Sequence, residues 1–228
     1  MARARPASRT ARAREDSLEE FFSRLPALLG RAATPSEQAA FEHYADLLLL
    51  WNRTHHLTAV RTRAAVGTGL FLDSLLFKAL FPPGPLRVAD VGAGAGIPGL
   101  PIRIVDPAVR VTLIESRRKP ISFLHALTRE LRLEDVDVQH GRVEELIERV
   151  GALRGEFDLV LTRSVRLDPS FMRSAMRLLK PGGKLVASGP PADKATPKVE
   201  WGGKTEWNAI RFDALGLVRR FFVATQEA

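Results

Sequence analysis

Cysteine is absent from the 228 residues. That excludes a disulfide framework, thiolate metal sites and a cysteine nucleophile, and it suits a reducing compartment. Histidine is sparse. The five copies show neither H-x-x-x-H nor H-E-x-x-H spacing, so no structural metal is expected. Tyrosine occurs once, as Tyr44. Long apolar runs are missing too: none approaches the ~20 residues a membrane-spanning helix needs. No apolar stretch of signal-peptide type lies near the start, so export is not expected and a cytoplasmic location is.

What is present is a chain with 45% hydrophobic and 26% charged residues, the balance of a globular protein. The formal net charge is +8, and it is unevenly placed. Arg3, Arg5, Arg9, Arg12 and Arg14 all precede the first acid, Glu15, and together carry +5. The rest of the chain, 29 basic against 26 acidic residues, carries only +3. An Arg/Ala/Ser/Pro segment buries too little apolar surface to fold alone, so residues 1–14 are expected to be a disordered arm. Such an arm suits two roles, a solubilising tail or a polycation that concentrates the protein on phosphate backbones. Its composition also resembles an organellar transit peptide.

Beyond the arm, Leu18, Phe21, Phe22, Leu25 and Leu28 fall on one helical face. Thr34-Pro-Ser-Glu37 is a capping-box start with Pro35 at the first helical position. Phe41, Tyr44, Ala45, Leu48 and Trp51 then repeat at helical spacing. Residues 15–80 are expected to form an N-terminal helical cap over a main domain at 81–228. From Leu86 the texture changes to short apolar runs at 86–91, 109–114, 135–139, 157–162 and 184–188. Helical patterns such as Ile121–Leu131 separate them, and this alternation predicts βαβ units around a parallel sheet. Lys180-Pro-Gly-Gly183 reads as a turn before the fifth strand. Two further β-rich runs, 205–212 and 217–225, read as a hairpin closing one sheet edge, and 189–199 as a mobile loop.

The densest chemical signal is DVGAGAGIPG, residues 90–99, between the first strand and a helix expected to start near Ile97. Open α/β sheets bind ligands at this place. Gly92, Gly94 and Gly96 let the backbone turn sharply and approach a ligand, and the amides of the next helix favour electron-rich groups. Gly94, Gly96 and Gly99 also fit G-x-G-x-x-G, the dinucleotide spacing. The second strand ends in VTLIES, which puts Glu115 21 residues after Gly94, where an acid accepts ribose hydroxyls. NAD and S-adenosylmethionine both present that ribose. Three features favour S-adenosylmethionine. Asp90 would repel a pyrophosphate but suits a ligand's ammonium, directly or through water. Tyr44 is followed four residues later by Leu48, not by the Lys of short-chain oxidoreductases. The C-terminal β hairpin after the fifth strand is that of class I methyltransferases. The expected fold is therefore α/β: a class I S-adenosylmethionine-dependent methyltransferase, Rossmann-like sheet with an N-terminal helical extension.

The motifs WNRTHHLTAV (51–60), FLDSL (71–75), DVGAGAGIPGLPI (90–102), VTLIES (111–116), GRVEEL (141–146), FDLVLTRSV (157–165) and LLKPGGKL (178–185) follow in order. Over about residues 36–190 the chain resembles the RsmG (GidB) family, bacterial methyltransferases acting on guanine N7 of 16S ribosomal RNA. The resemblance implies that Gly92, Gly94, Gly96 and Ile97 surround the methionine and ribose of the cofactor. It places Val143 and Glu144 beside the adenine, and Arg163 at the boundary between cofactor and substrate. The implied partner is 16S ribosomal RNA or a small-subunit precursor, bound by a monomer and not at a membrane. Guanine N7 already carries an in-plane lone pair, so no catalytic base is needed and no residue is assigned a catalytic role in the strict sense.

The sequence departs from the family pattern at several points. Gly69-Leu70 stand where Arg-His usually precede LLDSL, and His56 stands for the usual Asn of NLT. Arg166 replaces a small residue, and Ser188 replaces a lysine, although Lys194 and Lys198 follow nearby. Several of these positions are expected to face RNA. They leave room for a methyltransferase with another RNA or small-molecule substrate, or for a non-catalytic RNA-binding relative.

Overall fold

Strands form on the β-branched runs. In the computed structural model, which describes residues 16–191 and 193–227, these are β1 (Leu86–Val91), β2 (Val109–Glu115), β3 (Val136–His140), β4 (Phe157–Thr162) and β5 (Leu179–Ser188). The chain ends in β6 (Thr205–Phe212) and β7 (Leu217–Thr225). The arm expected at 1–14 lies outside the described residues. One sheet contains all seven strands in the order β3-β2-β1-β4-β5-β7-β6. The first five pair in parallel, and β7 runs antiparallel to both β5 and β6. Strand order reverses between β1 and β4, which opens a crevice at their carboxyl ends.

Helices precede and connect the strands: α1 (Glu19–Leu29), α2 (Pro35–His55), α3 (Arg63–Val66) and α4 (Leu72–Leu75), then α5 (Gly99–Val105), α6 (Arg118–Glu130), α7 (Val143–Arg149) and α8 (Pro169–Leu178). The capping box forms as expected: Thr34 Oγ1 accepts from the Glu37 amide, and the Glu37 carboxylate accepts from the Thr34 amide at 2.7 Å. Between α3 and α4 the chain takes a π-helical turn, Gly67–Phe71. None of the described helices is long and apolar enough to cross a membrane.

Alternation along the strands sorts the apolar side chains into two cores. Leu86 and Val88 of β1 face the core shared with α1–α6, while Ala89 and Val91 face the core under α7 and α8. The first core is rich in aromatics. Phe21, Phe41, Tyr44 and Phe71 are fully buried, with Phe21–Phe41 centroids at 4.8 Å (74°) and Tyr44–Phe71 at 4.8 Å. Tilted and edge-on pairs of this kind suit the ring quadrupole. Through them the N-terminal helices share one continuous core with the sheet.

Two expectations need correction. Lys180-Pro-Gly-Gly183 is not a turn outside the strand, because Leu179 already pairs with Phe157 and the KPGG residues lie inside β5. The ladder absorbs them as an irregularity between Phe157 and Leu159. The helix expected near Ile97 begins at Gly99, since residues 93–97 are spent in turns: both Gly96 N and Ile97 N donate to Ala93 O. Phe71→Ala is expected to remove the ring where α1, α2 and the π turn meet and to cost about 3–5 kcal/mol. Urea unfolding reads this as a lower midpoint at unchanged slope.

Candidate functional site

The loop after β1 is shaped by what surrounds it. Gly92, Gly94 and Gly96 have φ of +76°, +55° and +83°, a left-handed region that side chains resist. Gly92 N and Ala93 N both donate to Ile114 O, at 2.8 and 3.1 Å, which pins the loop across the end of β2. A Cβ on Gly92 would lie 2.5 Å from Val165 Cγ2, and one on Gly96 would lie 2.9 Å from Tyr44 Oη. Tyr44 is fully buried and its hydroxyl donates to Ala95 O at 2.5 Å. Burial holds that phenol well above its ordinary pKa. The N-terminal helix α2 therefore grips the glycine loop directly, a role that the sequence signalled only by placing its single tyrosine on the apolar face.

Asp90 is 0% exposed. Its Oδ2 accepts from the Gly99 amide at 2.8 Å, while Oδ1 has no hydrogen-bond partner among the described residues. Desolvation pushes this carboxyl up from 3.8 to about 7. The Gly99 amide opposes the rise, Glu115 adds to it, and Arg163 opposes it. A Cβ on Gly99 would sit 2.9 Å from Asp90 Oδ2, so Gly99 is there to admit a carboxylate.

Glu115 closes the other side at 4% exposure. Its Oε2 accepts from the Gly94 amide at 2.9 Å, and Oε1 accepts from the Arg117 amide at 2.8 Å and Arg117 Nε at 3.2 Å. The loop and β2 are thus cross-linked by the very acid expected to meet a ribose. Beside them a cavity of about 230 Å³ is lined by Gly92, Ser116, Arg142, Val143, Glu144 and Val165, among others. This brings Val143 and Glu144 to Gly92. Gly94, Gly96, Ile97, Asp90 and Arg163 are not in its wall.

Arg163 points elsewhere. Its Nε pairs with Asp73 Oδ2 at 3.0 Å, and its Nη2 donates to Gly69 O at 3.1 Å. Asp73 also holds Arg219 of β7, with Oδ1 2.8 Å from Nε. One carboxylate from the FLDSL run therefore ties the π turn, the end of β4 and the C-terminal hairpin together. In the sequence, Asp73 is signalled only as a lone acid within an apolar stretch.

The departures from the family pattern divide along the same lines. Leu70 is buried in the core, so it does not face RNA. His56 caps α2 with φ +52° and ψ +50°, a left-handed position that Asn and His tolerate better than most residues, so its substitution is conformational. Gly69 contributes its carbonyl to Arg163, and a Cβ there would meet open space. Arg166 and Ser188 do line cavities at the strand ends.

Strand order, an antiparallel seventh strand, and a glycine loop clasped by an acid at the end of β2 define the class I S-adenosylmethionine-dependent methyltransferase fold. Among solved structures, the chain is similar to a SAM-dependent methyltransferase from Aquifex aeolicus (TM-score 0.52, 18% identity, 72% of this chain and 93% of that one). It is also similar to a cofactor-bound protein from MTB (TM-score 0.57, 18% identity, 90% and 96%). At the level of sequence, residues 37–192 match the model of the GidB family, rRNA small subunit methyltransferase G, and the chain belongs to that family. Relatives named ribosomal RNA small subunit methyltransferase G include those of Streptococcus equi subsp. zooepidemicus, 40% identical over 160 residues (69% of this chain, 67% of that protein), and Streptococcus suis, 38% over 170 residues (74% and 71%).

Asp90→Asn keeps an oxygen for the Gly99 amide and removes the charge. A folded-state pKa raised to about 7 means that the stabilisation from a protonated Asp90 is complete below 3.8 and is lost as pH rises through 7. The substitution is expected to flatten this loss of stability between about pH 4 and 8. Urea unfolding at a series of pH values checks it, and an unchanged slope would assign the titration to another group.

Proposed function

We propose that this chain is an S-adenosylmethionine-dependent methyltransferase acting on guanine N7 of 16S ribosomal RNA. The observation that carries the reading is the family match across residues 37–192, a segment that includes the glycine loop, Glu115, Val143 and Glu144; of these, Gly92, Val143 and Glu144 line one cavity. The residues fit the cofactor on structural grounds as well. Gly92 leaves a cradle that a Cβ would fill, and it opens into the cavity shared with Val143 and Glu144.

In this reading Val143 and Glu144 bound the adenine, while Gly92, Gly94, Gly96 and Ile97 shape the path for ribose and methionine. Glu115 already accepts three hydrogen bonds from the protein, two on Oε1 and one on Oε2. A carboxylate has about four lone-pair sites, so one ribose hydroxyl finds its acceptor on Oε2. Asp90 holds the loop through Gly99 and keeps Oδ1 without a hydrogen-bond partner among the described residues. Arg163 acts at one remove, by fixing the end of β4 through Asp73.

When bound between the glycine loop and Val143–Glu144, the cofactor would supply an electrophilic methyl on sulfonium sulfur to the N7 lone pair, with the electron pair of the broken C–S bond staying on sulfur. No proton leaves N7, and the positive charge passes to the purine. The chain's work is therefore positioning, exclusion of water and placement of charge. The base must leave its stack to be reached.

Purified protein with methyl-labelled S-adenosylmethionine is expected to label small-subunit RNA that lacks the modification, and nucleoside analysis of the product is expected to show 7-methylguanosine. Absence of label from every RNA tested would overturn the reading. Gly92→Ala, forced against Val165 at a left-handed φ, is expected to weaken cofactor affinity by roughly tenfold or more, from about 1–3 kcal/mol of local strain. Calorimetric titration of the cofactor measures it.

A further inference from the structure

Past the carboxyl ends of β4 and β5 lies an open cavity of about 720 Å³, within the ~300–1,000 Å³ usual for ligand sites. Val165, Arg166 and Asp168 line both this cavity and the smaller one at Gly92, so the two spaces meet along a common wall. The remaining wall includes Gly189, Lys198, Glu200 and Trp207. Lys198, Glu200 and Trp207 all lie beyond residue 192, outside the segment matched by the family model.

Trp207, on β6, is held rather than loose. Its ring packs edge-on to Phe222 at 5.4 Å and 63°, and a Cβ on Gly189 would strike its Cζ3 at 2.7 Å. The Gly189 carbonyl accepts from Arg219 at 2.9 Å, and Arg219 pairs with Asp73, so this platform is anchored to the carboxylate that also holds Arg163. Two acids line the cavity. Asp168 is engaged, its Oδ1 capping α8 through the Ser170 and Phe171 amides at 3.0 Å each. Glu200 makes no hydrogen bond or ion pair among the described residues and lies away from the wall shared with the smaller cavity.

We propose that this cavity receives the unstacked target guanine, with the indole of Trp207 as its stacking face and the Glu200 carboxylate as acceptor for the guanine N1–H and N2–H. The assignment rests on the methyltransferase reading above. N7 lies on the Hoogsteen edge, and N1–H and N2–H lie on the adjacent Watson–Crick edge, so a purine with N7 toward the smaller cavity turns those donors to a part of the wall that the smaller cavity does not share. Guanine offers two adjacent donors on that edge, which a carboxylate accepts together, whereas adenine offers an acceptor at N1. The purine gains positive charge during transfer, and both an indole face and a carboxylate interact more strongly with a cation than with the neutral base. Arg166 and Lys198 line the same cavity and supply cations for the phosphates of the flipped nucleotide.

The test compares the full-length protein with Trp207→Ala, Trp207→Phe and Glu200→Gln, using small-subunit RNA and methyl-labelled S-adenosylmethionine. Base–aromatic stacking is worth about 1–3 kcal/mol. Trp207→Ala is accordingly expected to lose at least about tenfold in kcat/KM for RNA, with cofactor affinity unchanged within about twofold. Trp207→Phe keeps a smaller ring and is expected to retain more activity than the alanine variant, which also guards against a folding defect. Glu200→Gln is expected to lower kcat/KM by a similar factor. Tryptophan emission gives a readout apart from turnover: RNA is expected to quench the wild type, and Trp207→Phe to lose that part of the quench while Trp51 and Trp201 still emit. Wild-type kcat/KM in Trp207→Ala and Glu200→Gln, or equal quenching in Trp207→Phe, would overturn the proposal while leaving the methyltransferase reading intact. A wild type that labels no RNA, yet shows Trp207-dependent quenching, would overturn the methyltransferase reading and keep the base site.

Discussion

The carboxylate of Asp90 sets how the chain passes over the end of β1. It is wholly enclosed, and its Oδ2 is satisfied by the Gly99 amide at 2.8 Å. A buried carboxylate is costly unless its surroundings answer it, and here the answer is a loop that must fold back within reach. Gly99 has to be glycine because a Cβ would meet Oδ2 at 2.9 Å. Gly96 has to be glycine because Tyr44 and Leu100 close in from the other side. The hydroxyl of Tyr44 then takes the Ala95 carbonyl, which has no strand partner at this turn. From the opposite flank Glu115 takes the Gly94 amide. The loop is thus fixed by three side chains from α2, β1 and β2, and its shape is part of the protein's core.

Asp73 does for the rim of the crevice what Asp90 does for its floor. The π turn at Gly67–Phe71 carries Gly69 O to Arg163, while Asp73 one turn later receives both Arg163 and Arg219. The groups are only partly exposed, with side chains at 25% for Arg163 and 17% for Asp73 and Arg219, so this network is screened less than a surface pair. Its consequence is positional. Arg219 lies on β7, and through the Gly189 carbonyl it fixes the chain just past the end of β5. The strand ends that bound the large cavity are therefore registered against the N-terminal helices, 146 residues away in sequence from Arg219 at Asp73.

The elements were legible because they rest on periodicity and local chemistry. The hairpin at 205–212 and 217–225, β1 and β4 appear at their expected bounds, and the capping box at Thr34 forms bond for bond. The misreadings came where tertiary contact outweighed local signals: KPGG looks like a turn until Leu179 pairs across to Phe157. The candidate site was half legible. Gly92, Val143 and Glu144 share a cavity, whereas Gly94, Gly96, Ile97, Asp90, Glu115 and Arg163 lie outside its wall. That Arg163 spends itself on Asp73, and that Tyr44 grips the loop, depend on pairings across 90 and 51 residues, which no local pattern encodes. Leu70 and His56 look like lost RNA contacts in sequence, yet one fills the core and the other satisfies a left-handed cap.

The C-terminal hairpin follows a different logic from the loop. An antiparallel pair laid against β5 covers an edge that would otherwise present unpaired backbone groups. That requirement constrains the backbone of β7 and the inward residues Phe221, Val223 and Ala224, but leaves β6 as the new edge with few buried positions. Side chains on β6 and on the segment leading into it are free to answer to something other than packing. Trp207, Ile210 and Phe212 still pack, and the space Trp207 needs is created by Gly189, the residue after β5, tied by Arg219 to the same carboxylate as Arg163. The fold thus separates two demands: a cradle whose glycines are dictated by buried acids, and a neighbouring wall whose composition is set by a strand added for closure. Recognition of the acceptor can vary on that second wall without disturbing the first.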